Sequence, residues 1–364
     1  MLSKNYKKDL SHFKSSKIKS NYFEKKQLNN KLNLGIILAL SFIIFILIIT
    51  TVFIGCSNND SDISSNQSVE SINVASLKGP SSIGIIKIYD EKPKILKRIN
   101  INYEIVPTPD VMVSKILSGE IDMATLPTNV AIKLYNKNTK IKIAAIVGYN
   151  NLYLLNQNLN GLSITNWQDL KSKEIYVTSK GSTPDIVLRY LFEKNNINLV
   201  TDVKINYSAD QIEVSQLLIA KKIDNAVLPE PFVTSVINKN NKISIIFDLG
   251  KEWEKITGSP LPLTCLIVSE KVSENKPLVD EFLKLYEESI NWVNQNPKAA
   301  SELVEKLQIG VDKNTALNAI PRCNIKFTFS DNLKEEITNY ASTLLDFSPE
   351  DIGGKAPDEG FYYK

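Results

Sequence analysis

The sequence predicts an α/β protein built of two similar lobes, and three observations carry that expectation. The stretch Ile121-Asp122-Met123-Ala124-Thr125-Leu126-Pro127 returns 102 positions later as Ile223-Asp224-Asn225-Ala226-Val227-Leu228-Pro229. The same shift brings Lys78-Gly79 onto Lys180-Gly181, and 11 of the 23 positions from 121 to 143 are identical to their counterparts. In both units, short apolar runs alternate with segments of helical periodicity, which argues for mostly parallel sheets. A shift that stays in register for about a hundred residues means that elements and loops kept their lengths. Two such lobes leave a cleft between them, where small ligands bind.

Taken in order, the chain opens with a segment that is not part of the fold. Residues 34–55 carry no charge, and 22 helical residues would span about 33 Å, enough to cross a hydrocarbon core of about 30 Å. Nine lysines precede them against only Asp9 and Glu24, a positive-inside pattern that puts the N-terminus in the cytoplasm. The run ends in Phe53-Ile54-Gly55-Cys56, followed by a polar stretch. Residues 1–56 are therefore set aside as a signal or membrane segment. Residues 57–72, rich in Ser, Asn and Asp, read as a flexible tether.

The first lobe is expected from 73–155 with a return over 260–364, and the second from 156–259. In lobe one, residues 72–77 alternate as a strand, and Lys78-Gly79-Pro80-Ser81 turns into a helix carrying Ile85, Ile86, Ile88 and Tyr89. A strand at 101–106 follows, then a helix whose buried face would be Val113, Ile116 and Leu117, then a strand ending at Leu126. Thr128 or Asn129 should cap the next helix, and 141–147 is a further strand. Lobe two repeats the order. A strand at 174–179 leads into Thr183-Pro184-Asp185, which offers an N-cap, a proline in the first turn and an early acid. That helix buries Val187, Leu188, Leu191 and Phe192. Strands at 203–207, up to Leu228 and at 243–248 enclose helices containing Val214, Leu217 and Leu218 and one beginning at Pro231. Residues 263–269 read as a strand returning to lobe one, and helices at 277–296, 298–307 and 331–345 should brace that lobe.

Composition narrows the chemistry. Without the first 56 residues the chain has 34 Lys+Arg against 38 Asp+Glu, a net charge of about −4, so no nucleic-acid surface is implied. The one histidine, His12, lies in the excluded segment, which removes Ser-His-Asp and Cys-His nucleophile systems and His-containing zinc sites from the exported part. Binding needs no titrating imidazole, and neither a metal nor a cofactor is expected. Cys265 and Cys323 are the two thiols beyond Cys56. Outside the cytoplasm a disulfide across the 57 intervening residues would add about 4 kcal/mol, and two buried free thiols are the equal alternative.

In open α/β sheets, ligands lie beyond the carboxyl ends of the strands, at helix N-termini with free amides. Four corners qualify: Lys78-Gly79-Pro80-Ser81 and Pro127-Thr128-Asn129 in lobe one, Gly181-Ser182-Thr183-Pro184 and Pro229-Glu230-Pro231-Phe232 in lobe two. Gly79 and Gly181 allow close backbone approach. Tyr149, after the last strand of lobe one, could wall the cleft with its ring. Glu230, where lobe one has Thr128, would favour a ligand bearing an N–H or amine.

These corners, in this order and spacing, with Ile352-Gly353-Gly354-Lys355 and Phe361-Tyr362-Tyr363 at the end, resemble the extracytoplasmic solute-binding proteins of ABC importers. The nearest branch is the nitrate, sulfonate and taurine type with its thiamine-pyrimidine relatives, and the likeness runs from about 73 to 364. It implies a periplasmic binding protein type II fold, two mixed-sheet lobes on a two-strand hinge. It also implies a monomer that closes on a small polar or heteroaromatic solute and presents it to a membrane permease driven by a cytoplasmic ATPase. Phe53-Ile54-Gly55-Cys56 resembles a lipobox, which would make Cys56 the acylated (palmitate-bearing) membrane anchor of the mature chain. Two alternatives stay open. One is an enzyme of the fold-related pyrimidine-synthase type; the other is a sensory domain on a retained membrane helix.

Overall fold

β-Branched and aliphatic residues dominate the short strands, and most are buried on both faces, as a sheet covered by helices on each side demands. The computed structural model describes residues 70–364 apart from Asn160, Leu162, Ser179 and Ala209. The expected signal segment, Cys56 and all but the last residues of the tether lie outside the described residues. Those last residues are already strand: β1 is Ser71–Leu77. It is followed by short helices α1 (Pro80–Gly84) and α2 (Ile86–Glu91), β2 (Asn100–Val106), α3 (Pro109–Leu117), β3 (Met123–Pro127), α4 (Thr128–Asn136) and β4 (Ile141–Tyr149). The second half contains β5 (Leu152–Asn156), β6 (Glu174–Thr178), α5 (Thr183–Lys194), β7 (Lys204–Ser208), α6 (Gln211–Ile219), β8 (Asn225–Pro229), α7 (Phe232–Lys239) and β9 (Ser244–Asp248). Then come α8 (Leu249–Thr257), β10 (Pro262–Ser269), α9 (Glu270–Ser273), α10 (Lys276–Gln295), α11 (Pro297–Lys306), α12 (Lys313–Ala319) and α13 (Ser330–Phe347).

The strands form two five-stranded sheets with one plan, in the orders β2-β1-β3-β10-β4 and β7-β6-β8-β5-β9. In each, the first three strands are parallel: β1 pairs with β2 from Ser71↔Asn100, and β6 with β7 from Glu174↔Lys204. One antiparallel strand then enters between the third and the last, β10 in lobe one and β5 in lobe two. The repeat read from sequence is thus a repeat of architecture. The chain crosses between lobes at 150–151, not at 155/156 as expected, because β5 pairs with β8 and β9 in the second sheet. It recrosses just before β10. The two crossings touch: Asn150 Oδ1 accepts the Leu261 amide at 2.7 Å. Gly250 at the start of α8 packs on the first crossing so closely that a Cβ there would lie 2.5 Å from Asn150 Cα.

Two expectations about buried faces change. On α3 it is Met112 and Ile116 that are buried, while Leu117 is exposed, since the helix is turned by one position from the expected stripe. The C-terminal helices do not all brace lobe one. α10, α11 and α12 pack there, in the cluster with Phe282, Tyr286 and Val304. α13 instead belongs to a core that is continuous between the lobes: Tyr340 meets Trp253 with ring centroids 5.7 Å apart, and Phe347 meets Tyr190 at 5.4 Å. Among the described residues no helix is long and apolar enough to cross a membrane.

Candidate functional site

Each lobe presents the carboxyl ends of its parallel strands to the other, and corresponding ends are finished in corresponding ways. The last carbonyl of β1, at Leu77, accepts from Ser81 Oγ at 2.9 Å, and that of β6, at Thr178, accepts from Ser182 Oγ at 2.7 Å. After β2, Thr108 caps α3 by accepting from the Val111 amide at 3.5 Å; 102 residues on, Asp210 caps α6 by accepting from the Glu213 amide at 2.8 Å. β3 and β8 end in Pro127 and Pro229. Side chains at the strand ends thus turn back on their own lobe.

These corners wall one cavity of about 210 Å³ between the lobes. Lobe one contributes Lys78, Pro80, Ser81 and Pro127 to it, together with Pro107, Thr108 and Pro109. Lobe two contributes Ser182, Thr183, Pro184 and Phe232, with Asp210, Gln211 and Ile212. The floor is the hinge: Asn151 and Leu152 from β5 and its approach, Leu263 and Thr264 from β10. Among the described residues the walls are proline and aliphatic carbon, relieved by hydroxyls, the Asn151 and Gln211 amides, one amine and one carboxylate. That is a surface for holding a small molecule of mixed character.

Of the candidates read from sequence, Lys78, Pro80, Ser81, Pro127, Ser182, Thr183, Pro184 and Phe232 line this cavity. Six others do not. Gly79 and Gly181 supply backbone to the turns, with φ of 127° and 76°. Thr128 is fully buried, and its hydroxyl lies inside the lobe against the Cys265 thiol. Nor does it or Asn129 cap α4, whose N-cap is Pro127 with no side-chain bond. Asn129 is also buried, and it reaches across the seam: its Nδ2 donates to the Gly181 carbonyl at 3.2 Å and its Oδ1 accepts from Thr183 Oγ1 at 2.8 Å. Tyr149 faces away from the cavity and donates to Glu336 Oε2; burial, then this carboxylate, pushes its phenol pKa up.

Glu230 is the clearest correction. Its carboxylate is fully buried and every near neighbour is internal: Oε2 accepts from the Thr234 amide at 3.1 Å and the Thr234 hydroxyl at 2.8 Å, and Oε1 from Arg322 Nε at 2.7 Å. It anchors α7 and the segment after α12, so it has no oxygen to offer a ligand amine. Cys265 and Cys323 are both free and buried, and they lie in different apolar clusters, on either side of the lobe-one sheet. A second polar tie joins lobe two to the C-terminal segment. Buried Asp185 accepts from the Gly181 amide, Arg189 Nε and the Tyr207 hydroxyl, and Arg189 Nη2 in turn donates to Asp351 Oδ2 at 2.9 Å.

Sequence reasoning passed over the Thr108 and Asp210 corners, although they stand at the same shift of 102 and each opens a helix. Asn151 and Leu263 carried no such signal, because a hinge position is defined by pairing across the chain.

The sequence matches, over residues 82–344, a family model described as menaquinone biosynthesis. Among curated proteins none matches. Solved structures do: an ABC transporter from Parabacteroides distasonis is 26% identical, with 81% of this chain and 99% of that one covered, at a TM-score of 0.68. The periplasmic aliphatic sulphonate binding protein SsuA from Escherichia coli aligns at 13% identity, 82% and 93% coverage and a TM-score of 0.67. The alkanesulfonate-binding protein SsuA from Xanthomonas axonopodis pv. citri, bound to MOPS, aligns at 11% identity, 81% and 96% coverage and 0.60. The architecture is the periplasmic binding protein type II fold of these neighbours.

Proposed function

We propose that this chain, which belongs to the menaquinone biosynthesis family, is an extracytoplasmic solute-binding protein that holds a small molecule between its lobes and delivers it to an ABC permease. One observation carries the reading: turns 102 residues apart in sequence converge, lobe against lobe, on a single cavity at the carboxyl ends of both sheets. The likeness to an ABC transporter and to periplasmic binding proteins supports it. So does the export pattern of residues 1–56, with Cys56 as the lipid attachment point. Closure of the lobes on the solute would create the form that a permease recognises.

The test is a thermal-shift screen of the full chain in mild detergent against a panel of small metabolites and anions. A ligand at 100 times its dissociation constant adds about 2.7 kcal/mol, which moves the midpoint by several degrees. If no compound moves it, the solute-binding reading fails. Loss of metabolic fatty-acid labelling in Cys56→Ser tests the anchor, and an unlabelled wild type would count against it.

The family match favours a second reading, an enzyme acting on an intermediate of menaquinone biosynthesis. The residues after 56 contain no histidine, and among the described residues the cavity wall offers only Lys78 and Asp210 as titrating groups. Mass spectrometry of each screening hit after prolonged incubation separates the two: recovery unchanged supports a binder, conversion an enzyme.

A further inference from the structure

We propose that the turn at 92–99, between α2 and β2, is a docking surface for anionic phospholipid headgroups, at the pole of lobe one opposite the cleft. The inference rests on the membrane attachment of residues 1–56 argued above and is independent of which solute is bound. Lys92, Lys94, Lys97 and Arg98 are all exposed. Among the described residues none of their side chains has an ion-pair or hydrogen-bond partner. The acids around them are already engaged: Asp90 with Lys306 at 2.6 Å, Glu91 with Lys87 at 3.7 Å, and Glu281 with the Leu96 amide at 3.1 Å. Four unanswered cations within seven residues attract a polyanionic surface, and do so most strongly at low ionic strength.

The turn is firmly seated. Ile95 and Ile99 are fully buried and exchange both backbone bonds at 2.9 Å, so the charged residues stand on an anchored frame. Lys92 and Lys97 have φ of 48° and 61°, left-handed backbone that suits glycine or asparagine better. The corresponding connection of lobe two, at 194–203, has Asn196 at its left-handed position and carries one lysine, Lys194, beside Glu193 at 3.6 Å. The duplicated fold therefore does not itself require this charge. Its place also matches a membrane. The Asn100 amide donates to the Glu70 carbonyl at 3.0 Å, so the turn adjoins the point where the chain enters lobe one, and only 13 residues separate Glu70 from Cys56. Fully extended, that stretch reaches no more than about 50 Å. β1 and β2 run parallel from this end, Ser71 against Asn100, and their length sets the turn about 20 Å from the cavity. A leaflet at this pole leaves the cleft uncovered.

The experiment reconstitutes the full chain into vesicles of phosphatidylcholine, alone or mixed equally with phosphatidylglycerol, and exposes them to a membrane-impermeant acetylating reagent. Mass spectrometry reads the reaction of each lysine relative to Lys221 and Lys222, which are exposed on lobe two. With phosphatidylglycerol at low salt, Lys92, Lys94 and Lys97 should react about threefold or more slowly than in phosphatidylcholine, and the protection should vanish at about 0.5 M salt. Lys94→Gln combined with Lys97→Gln and Arg98→Gln should remove the protection of Lys92, and Lys94→Arg with Lys97→Arg should keep it. Each variant's melting midpoint shows that it is folded. Equal reactivity in the two vesicles, protection that survives high salt or the triple glutamine variant, or protection by soluble inorganic polyphosphate but not by phosphatidylglycerol would overturn the proposal and leave the attachment and solute-binding readings standing. A chain that floats with neither vesicle overturns the attachment reading and this one with it.

Discussion

The turns after β3 and β8 begin alike, Leu126-Pro127 and Leu228-Pro229, and then diverge. In lobe one, Thr128 is buried with its hydroxyl against the Cys265 thiol, while Asn129 bonds to Gly181 and Thr183 of the opposite lobe. In lobe two, Glu230 turns inward to Thr234 and Arg322, tying its own helix to the C-terminal segment. Two copies of one corner therefore do different work: the first stitches lobe to lobe, the second fastens the tail. Both corners place their proline on the cavity wall, and the residues behind it take different partners.

The two thiols report on the two corners separately. Cys265 lies opposite Leu126 on the neighbouring strand, and Cys323 follows Arg322. Burial pushes the Cys265 thiol up to about 12 and raises Cys323 well above its ordinary value. A raised thiol pKa keeps the group protonated at pH 8, so disulfide-exchange labelling of the native protein should be slower by about 10³-fold or more than in denaturing urea. Peptide mapping without reductant should then find both cysteines labelled once unfolded; a bridge would leave both unlabelled. Next in size, Glu230→Ala should cost about 3 kcal/mol in urea denaturation, because Arg322 and Thr234 lose their acceptor. It should also uncover Cys323 before Cys265. Simultaneous exposure of the two would mean that the corners are not independent. Asn129→Ala removes both bonds across the seam and should cost about 1–2 kcal/mol, with a larger radius of gyration in small-angle scattering. An unchanged radius would assign the holding of the lobes to α13 alone. The smallest effect is expected at Thr128, whose hydroxyl meets only a weakly bonding thiol: Thr128→Val should change stability by no more than about 1 kcal/mol. A loss as large as that of Glu230→Ala would erase the contrast between the corners.

Much of this was legible in the chain itself. The shift of 102 foretold both sheets, and alternation of apolar runs located nearly all of the parallel strands. What escaped was set by pairing at a distance. Residues 152–156 follow Asn150-Asn151, and nothing local says that they join residues 225–229 and 244–248 instead of extending lobe one. Glu230 looks like any early-helix acid until Arg322, 92 residues away, is seen to meet it. Met112 and Val113 are equally apolar, so which faces inward depends on how α3 lies on its sheet. The cavity corners were readable because helix starts and prolines declare themselves locally. The seam and the anchors were not, since each needs a partner from another part of the sequence.

The late return of β10 has a practical corollary. Lobe two is one continuous stretch from β5 to β9, whereas lobe one's inner antiparallel strand is reached only after the whole of lobe two, so cutting lobe one off at the first crossing removes a plank from the middle of its sheet. The remnant would expose two raw borders facing an empty slot, ready to recruit a strand from a neighbouring molecule. Anyone dividing this protein into pieces should let each fragment carry the strand that belongs to it in space.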